Sequence, residues 1–346
     1  MAKILAIETS CDETAAAIVS DRQVLSNVVA SQIATHQKYG GVVPELASRQ
    51  HLANVGQIVD AALEAAGLDW PAIDAVAATC APGLVGALLV GLTAAKTLAM
   101  VHHKPFLGIH HLEGHLYASY LSNPDLVPPY LCLLVSGGHT SLIQVKGCGD
   151  YVMLGQTRDD AAGEAFDKVA RLLDLGYPGG PIIDQLAQTG NAQAFSLPEG
   201  NISLPEGGFH PYDSSFSGLK TAVLRLVERI KAAGSSPPVA DIAASFQTTV
   251  VRSLTRRTLR CALDHNLSTI AVGGGVAANS GLRQYLQAEA ERHNLTVIFP
   301  PLKYCTDNAA MIACAAADHF RLGHTSPLAT AAQSRMSITQ VMALYV

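Results

Sequence analysis

The sequence predicts an α/β protein of two lobes, each a mixed β-sheet with flanking helices. Three short apolar segments open the chain, and helical and strand-like patterns alternate after them, as expected for a sheet covered by helices. The chain has 346 residues, which is long for one core and suits two lobes of roughly 150 residues. The opening pattern recurs after Pro128-Pro129. We therefore expect an N-terminal lobe at 1–128, with a closing helix at 307–346 packing back on it, and a C-terminal lobe at 129–306.

The N-terminal elements follow from hydrophobic periodicity. A long amphipathic helix at Pro44–Ala66 carries an apolar stripe through Leu52, Val55, Val59 and Leu63. The strands before it are predicted at Lys3–Glu8, Ala15–Ser20 and Val24–Ala30. After it come a strand at Phe106–Ile109 and a short helix that contains two histidines.

An uncharged stretch of 21 residues, 75–95, is long enough to span a bilayer. Ala81-Pro82-Gly83 interrupts it, and Gly86 and Gly91 follow. The stretch therefore indicates a buried strand at Ile73–Cys80, a tight turn and a buried helix to Met100, and we expect no membrane contact.

The C-terminal lobe repeats the opening as a strand, a small polar loop and a second strand. The region 156–238 is predicted to be mostly helical, with an irregular surface loop at 197–212. The remaining elements are strands at Tyr130–Val135, Ser141–Lys146, Thr269–Val272 and Thr296–Phe299, and helices at Val239–His265, from Asn279 and from Asp307.

Composition indicates an ordered intracellular protein. Apolar residues make up 49% of the chain and charged residues 15%, which argues against disorder. The seven cysteines are scattered without a C-x-x-C pair, as expected for reduced thiols in a cytosolic protein. A net charge of −5 argues against non-specific coating of nucleic acid. Arg252, Arg256, Arg257 and Arg260 form either a solvated helix face or a local RNA contact.

His111 and His115 are either metal ligands or a structural or incidental histidine pair. Their spacing of four places both imidazoles on one face of a helix. Glu113 follows His111 by two positions, whereas the H-E-x-x-H signature of zinc peptidases needs its acid directly after the first histidine. Asp307 is either a helix N-cap or a third ligand. Two histidines and one carboxylate with open positions suit Fe(II) or Zn(II).

Several polar and glycine-rich loops are candidates for substrate contact. Ser136-Gly137-Gly138-His139-Thr140 could cradle phosphate oxygens with backbone N–H groups, or be a steric hairpin turn. Gly273–Gly275 lacks the acid that a dinucleotide-binding fold requires, so a turn against an adenine or ribose, with Asn279 as a polar contact, fits better. Asp12 and Glu13 are expected either to orient a nucleophile or a second cation or to be only solvated.

Seven motifs, in order along residues 3 to about 325, together resemble the bacterial TsaD family of tRNA N6-adenosine threonylcarbamoyltransferases. They are Ile7-Glu8-Thr9-Ser10-Cys11-Asp12-Glu13-Thr14, the His111/His115 pair, Leu134-Val135-Ser136-Gly137-Gly138-His139-Thr140, Phe166-Asp167-Lys168-Val169-Ala170-Arg171, Phe216-Ser217-Gly218-Leu219-Lys220-Thr221, Gly273-Gly274-Gly275-Val276-Ala277-Ala278-Asn279 and Thr306-Asp307-Asn308. The tail after Gly323 carries no recognisable signal.

The resemblance implies an actin/Hsp70/sugar-kinase-like (ASKHA) fold whose two lobes close on a nucleotide. It implies one divalent metal ion per subunit, iron (Fe2+) or zinc (Zn2+), held by His111, His115 and Asp307. It also implies a substrate site lined by Leu134, Val135, Ser136, Gly137, Gly138, Asp167, Gly180, Asp184 and Asn279.

The implied reaction transfers a threonylcarbamoyl group from threonylcarbamoyl-AMP to N6 of adenosine 37 in tRNAs that read codons starting with A. We hypothesise that Asp12 or Glu13 takes or orients the amine proton. The implied partners are tRNA, a TsaB-like paralogue, a TsaE-like ATPase and a TsaC-type synthase, in the cytoplasm. The alternatives are a nucleotide-dependent small-molecule kinase of the same superfamily and a metallopeptidase.

Overall fold

The computed structural model describes residues 1–346, which form two compact units. The first unit contains residues 1–128, 146–151 and 300–346, and the second contains residues 129–145 and 152–299. The segments 146–151 and 300–306 thus belong to the first unit, whereas the sequence-based division placed them in the C-terminal lobe. None of the helices has the length and apolar character needed to cross a membrane.

The first unit contains a five-stranded mixed sheet. Its order is β3-β2-β1-β4-β5, with β1 antiparallel to β2 and parallel to β4. The strands are β1 (Lys3–Glu8), β2 (Glu13–Ser20), β3 (Gln23–Ser31), β4 (Ala75–Ala81) and β5 (Phe106–His110). β4 is buried along its whole length, which accounts for its continuous apolar sequence.

Five helices belong to the first unit. They are α1 (Ile33–Gln37), α2 (Pro44–Ala66), α3 (Val85–Val101), α4 (His111–Tyr117) and α10 (Ala309–Arg321). α10 packs against β1, β2 and α4, and its run of alanines lets these backbones approach closely. In α2 the expected stripe is partly wrong, because Leu52 is exposed and the neighbouring His51 is buried.

The second sheet has the order β10-β9-β6-β7-β8, with β6 antiparallel to β7 and parallel to β9. Its strands are β6 (Tyr130–Val135), β7 (Thr140–Gly147), β8 (Asp150–Gln156), β9 (Thr269–Gly273) and β10 (Thr296–Ile298). The helices are α5 (Ala162–Leu172), α6 (Gly179–Ala187), α7 (Ser217–Ala232), α8 (Val239–Asp264) and α9 (Ser280–Arg292).

The two sheets share one topology. Read from β8 to β10, the second sheet follows the order of the first, with β6 in the place of β1 and β9 in the place of β4. Each sheet therefore has an antiparallel hairpin on one side of its first strand and a parallel strand on the other. This repeat confirms the α/β fold class with two mixed sheets.

Three sequence-based expectations about secondary structure were wrong. No strand was predicted at β8, and the region 156–238 is less helical than expected, because a long irregular segment separates α6 from α7. The helix after Asp307 is also shorter than the expected closing segment. It ends at Arg321, and the tail continues as irregular chain to a 3-10 helix at Ile338–Leu344.

Candidate metal centre and substrate loops

The structure brings His111, His115 and Asp307 together in the first unit. Asp307 Oδ1 lies 3.2 Å from His115 Nε2 and 3.6 Å from His111 Nε2. The two imidazole rings meet edge to face, with their centroids 4.7 Å apart. One ligand atom from each residue lies within 4.8 Å of the others, so the three side chains can hold one metal ion.

The local sequence explains how α4 and the start of α10 come close enough for this. His111 begins α4 directly after β5, so one turn of helix places His115 beside it. Gly114 lies against α10, where a Cβ atom would stand 2.5 Å from Ile312 Cδ1. A larger residue at Gly114 would require the Ile312 side chain to move.

Asp307 is not the N-cap of α10. The cap is Asn308, whose side-chain oxygen accepts a hydrogen bond from Met311 N at 3.0 Å. The N-cap interpretation of Asp307 was therefore wrong. Because Asn308 caps the helix, the Asp307 carboxylate is left beside the histidines.

Glu8 orients His111 and was missed by the sequence analysis as a site residue. Its Oε2 atom lies 3.2 Å from His111 Nδ1 and accepts a hydrogen bond from Thr79 Oγ1. Ser10 Oγ also contacts His111 Nδ1 at 3.1 Å. A carboxylate on one imidazole nitrogen leaves the other free for a metal, as is common in metal sites. The available signal was a charged residue directly after four apolar residues of β1.

The donor set fits a divalent cation. Both ring nitrogens of the buried His115 lack a hydrogen bond, although Nε2 is close to Asp307. Burial disfavours the charged form of His111, but Asp307 and Glu8 outweigh it and raise the pKa of His111 to about 9. Burial likewise opposes ionisation of Glu8, yet His111 holds its pKa below the ordinary value. This cluster of the first unit therefore attracts positive charge.

Asp12 lies in the loop between β1 and β2, and Glu13 is the first residue of β2. Asp12 is buried and Glu13 is half-buried. Burial, followed by the negative charges of Asp307 and Asp12, raises the pKa of Glu13 well above its ordinary value. A carboxylate with a raised pKa accepts a proton more readily near neutral pH.

Glu113 points away from the histidine pair. Its Oε1 atom accepts hydrogen bonds from Tyr151 Oη at 2.6 Å and from His319 Nε2 at 2.9 Å. It therefore does not occupy the position of a general base beside the three metal-ligand residues. The geometry agrees with the spacing argument against a peptidase.

The loop Ser136–Thr140 of the second unit is a tight turn with two exposed glycines. Ser136 N donates to His139 O at 2.8 Å, and His139 N donates to Ser136 Oγ at 3.1 Å. A Cβ atom on Gly137 or Gly138 would meet nothing within 4 Å. Packing inside the protein therefore does not require glycine at these two positions. This argues against the interpretation that the turn contains glycines for steric reasons alone.

Leu134 and Val135 differ from the rest of the expected substrate loop. Both are fully buried in β6, so only their backbone can reach a ligand. The turn after β9 lies against this point, because a Cβ on Gly274, at φ +90°, would come 2.2 Å from Val135 O. β6 and β9 are parallel neighbours, so these two loops leave the same edge of the sheet.

The other expected substrate residues lie on connected helices of the second unit. Asp167 Oδ1 accepts a hydrogen bond from Gly179 N at 2.7 Å, at the start of α6 and next to Gly180. Asp184 accepts hydrogen bonds from Ser280 N at 3.0 Å and from Gln247 Nε2 at 2.9 Å.

Gln247 was missed by the sequence analysis. Its Oε1 atom accepts a hydrogen bond from Asn279 Nδ2 at 2.8 Å, while Asn279 Oδ1 caps α9 by accepting from Leu282 N. Gln247 therefore joins Asp184 to Asn279. Nothing in the sequence of α8 distinguishes this glutamine from other polar residues of the helix.

The arginines of α8 hold the irregular segment after α6. Arg256 pairs with Glu199 and donates to Asn201 Oδ1. Arg257 is buried and donates hydrogen bonds to the carbonyl oxygens of Gly200 and Asp213, each at 2.8 Å. The sequence had left two interpretations open for the four arginines of α8, a solvated helix face and an RNA contact. Neither describes Arg257, because its side chain is buried and bonded within the protein.

Comparisons with known proteins agree with one family. The family model described as TsaD, tRNA N6-adenosine threonylcarbamoyltransferase, matches residues 23–314. A relative of that name from Cyanothece sp. is 73% identical over 345 residues. The alignment covers 100% of this chain and 100% of the relative. The relative from Nostoc punctiforme is 72% identical, covering 100% of this chain and 99% of its own. The relative from Synechocystis sp. is 71% identical with the same coverage.

Solved structures resemble the chain in fold alone. HypF of T. kodakarensis aligns with a TM-score of 0.60 and 15% identity, over 93% of this chain and 48% of that chain. Component A of (R)-2-hydroxyglutaryl-CoA dehydratase from Acidaminococcus fermentans aligns with a TM-score of 0.52 and 15% identity, over 92% of this chain and 97% of that chain.

The repeated sheets and these structural neighbours define a protein of the ASKHA fold class, in which His111, His115 and Asp307 form a candidate metal-ligand set. The family match and the full-length relatives go further. The chain belongs to the tRNA N6-adenosine threonylcarbamoyltransferase family, a family of metal-dependent transferases that modify tRNA. The family match and the relatives do not favour the kinase and peptidase alternatives.

Proposed function

We propose that this chain transfers the threonylcarbamoyl group of threonylcarbamoyl-AMP to N6 of adenosine 37 in tRNAs that read codons starting with A. A bond forms between N6 and the carbamoyl carbon, the bond from that carbon to the phosphate oxygen breaks, and AMP leaves. The observation that carries the proposal is the His111, His115 and Asp307 ligand set in a chain more than 70% identical to full-length family members.

The second unit supplies the proposed contacts to the adenylate. Gly137 and Gly138 are exposed and have no packing partner at the Cβ position, so their N–H groups are open to a phosphate or carbamoyl oxygen. Asp167, Gly180, Asp184 and Asn279 complete the proposed site, with Gln247 fixing the last two. These residues align a donor that already has a good leaving group.

His111, His115 and Asp307 are proposed to hold the metal, Fe2+ or Zn2+, with Glu8 orienting His111. When bound, the ion supplies a Lewis acid that can polarise the acyl donor. Asp12 or Glu13 is proposed to take or orient the N6 proton.

The partners and location follow from the same proposal. We infer a cytoplasmic enzyme that works on tRNA with a TsaB-like paralogue, a TsaE-like ATPase and a TsaC-type synthase that makes the adenylate. The support is family membership.

The test is a reconstituted reaction of this protein with these partners, threonine, bicarbonate, ATP and unmodified tRNA, read by mass spectrometry of the nucleosides. Threonylcarbamoyladenosine is expected with the wild type and should be nearly lost with His111→Ala. His293→Ala is the matched control, since His293 is exposed in the second unit. A wild type that gives no product, or a fully active His111→Ala, contradicts the proposal. Asp12→Asn and Glu13→Gln in the same assay, started from preformed threonylcarbamoyl-AMP, decide which acid handles the proton.

A further inference from the structure

A second cluster of metal-ligating side chains lies in the first unit, apart from the His-His-Asp set. It contains Glu113, Cys148 and His319, and one ligand atom from each lies within 4.8 Å of the others. They come from α4, from the turn between β7 and β8, and from α10. Glu113 and His319 are fully buried, whereas Cys148 is half-buried. An ion could therefore enter from the side of the cysteine.

Glu113 is incompletely satisfied without an ion. Its Oε1 atom is hydrogen-bonded by Tyr151 Oη and His319 Nε2, but its buried Oε2 atom has no hydrogen-bond partner. A buried carboxylate oxygen without a partner is costly. A cation bound at this carboxylate would remove that cost.

The surroundings orient His319 as a ligand. Its Nδ1 atom lies 2.9 Å from His324 Nδ1, and its ring stacks on Tyr345 with centroids 4.1 Å apart. With Nδ1 engaged and the ring held on one side, Nε2 is directed at Glu113, and Cys148 completes the group of ligand atoms within 4.8 Å. An outer partner on the second imidazole nitrogen is a regular feature of histidine ligands.

We propose that Glu113, Cys148 and His319 form a second metal site that binds a borderline cation of the Zn2+ class. A thiolate, an imidazole and a carboxylate are the donors that Zn2+ prefers, whereas Mg2+ and Ca2+ take oxygen donors. Ligands of a tetrahedral zinc ion lie about 3.3–3.8 Å from one another, so atoms within 4.8 Å need only small movements. On binding, the Cys148 thiol proton and any proton on His319 pass to solvent.

The experiment uses the full chain, stripped with a chelator and loaded with Zn2+ or Co2+. After unbound metal is removed, the wild type should retain two equivalents of zinc by elemental mass spectrometry. Its cobalt form should show the near-ultraviolet absorption of a thiolate-to-cobalt bond, which only a cysteine ligand produces. The double variant His111→Ala/His115→Ala should retain one equivalent and the same absorption.

Substitutions at the two half-exposed cysteines distinguish the sites. Cys148→Ser should reduce the zinc content to one equivalent and abolish the thiolate absorption, while Cys11→Ser, in the loop after β1, should keep both. Glu113→Gln, nearly the same size, should also lose one equivalent, with circular dichroism showing that it is folded. A wild type that binds one equivalent without thiolate absorption overturns the proposal, as does absorption that persists in Cys148→Ser or disappears in Cys11→Ser.

Discussion

His110 is a buried histidine held neutral by its surroundings. It ends β5, and its Nε2 atom donates to Met336 O at 3.1 Å while its buried Nδ1 has no partner. Burial lowers the pKa of His110 from 6.5 to about 4. Between these values the unfolded chain binds a proton that the folded protein does not. This residue therefore lowers the free energy of unfolding as the pH falls from about 6.5 to about 4.

His110→Gln tests this effect, because the glutamine amide can still reach Met336 O but does not titrate. The free energy of unfolding is measured by urea titration of metal-stripped protein. The wild type should exceed the variant in this free energy by the largest amount at pH 7. The difference between wild type and variant should shrink by about 1.4 kcal/mol per pH unit in the window below about pH 6. A difference that stays constant from pH 7 to pH 4.5 would show that His110 has the same pKa in the folded and in the unfolded protein.

Adding one methyl group at Gly137 tests whether the proposed substrate loop contacts the adenylate. A methyl group there meets nothing in the protein, so Gly137→Ala should fold and melt like the wild type. If the backbone lies against the adenylate, the same methyl group should lower kcat/KM for threonylcarbamoyl-AMP by about tenfold to a hundredfold. Gly147→Ala, which also has open space at Cβ, should keep near wild-type kinetics. Unchanged kinetics in Gly137→Ala would exclude close contact at this glycine.

At the residue scale, the sequence predicted those site residues that belong to a local spacing pattern or a motif. It missed the residues that act through tertiary contacts. The His111/His115 pair follows from helical spacing. Asp307 could not be separated from a cap, because the choice between it and Asn308 depends on which side chain reaches Met311 N. Glu8 and Gln247 act on residues far away in the chain, and no local pattern reports such a contact.

At the scale of elements, α6 begins in close contact with the backbone of α5. A Cβ on Gly179 would come 2.8 Å from both Asp167 Cα and Phe166 O, whereas one on Gly180 would meet nothing within 4 Å. Backbone atoms cannot give way as a side chain can. Gly179→Ala should therefore reduce the free energy of unfolding by about 1–3 kcal/mol.

Gly180→Ala is the neighbouring control in the same first turn of α6. Because alanine loses less backbone entropy than glycine in a helix, this variant should be as stable as the wild type or more stable by up to about 1 kcal/mol. Denaturant unfolding of both variants measures the contrast. Equal stabilities would mean that α5 and α6 are not packed as closely as the structure shows.

Most elements were predicted because their patterns are strong, and the failures occur where the patterns are weak. The nearly continuous apolar sequence of β4 is a clear signal. β8 alternates poorly between buried and half-buried positions, and its place in the sheet depends on pairing beside β7. The segment after α6 is held by Arg256 and Arg257, which lie more than fifty residues further along the chain.

At the scale of the whole molecule, the repeated topology was only suggested by the sequence. The two openings share a strand, a small polar loop, a threonine and a second strand, but little identity. Topology depends on which strands become neighbours, and the order β3-β2-β1-β4-β5 recurs although different side chains fill the two sheets. The family resemblance, by contrast, rests on motifs at loops and strand ends, and these remain readable in the sequence.

Charge gives the last prediction, which concerns tRNA. The net charge is −5, and eight lysine and arginine side chains are ion-paired with acids of the same chain. Affinity for nucleic acid depends largely on unpaired cations that replace counterions at the phosphates. The isolated protein should therefore bind unmodified tRNA weakly at physiological salt, with a Kd of about 1 μM or above. Binding should strengthen when the proposed partner proteins are added.

Fluorescence anisotropy with labelled tRNA at several salt concentrations measures this, first with the protein alone and then with each partner. A shallow dependence of log K on log salt is expected for the isolated chain, because few phosphates are neutralised. The slope should steepen when a partner adds basic surface. If the isolated chain bound tRNA with nanomolar affinity and a steep salt dependence, its own surface would carry a concentrated basic patch, and the need for partners in holding tRNA would be disproved.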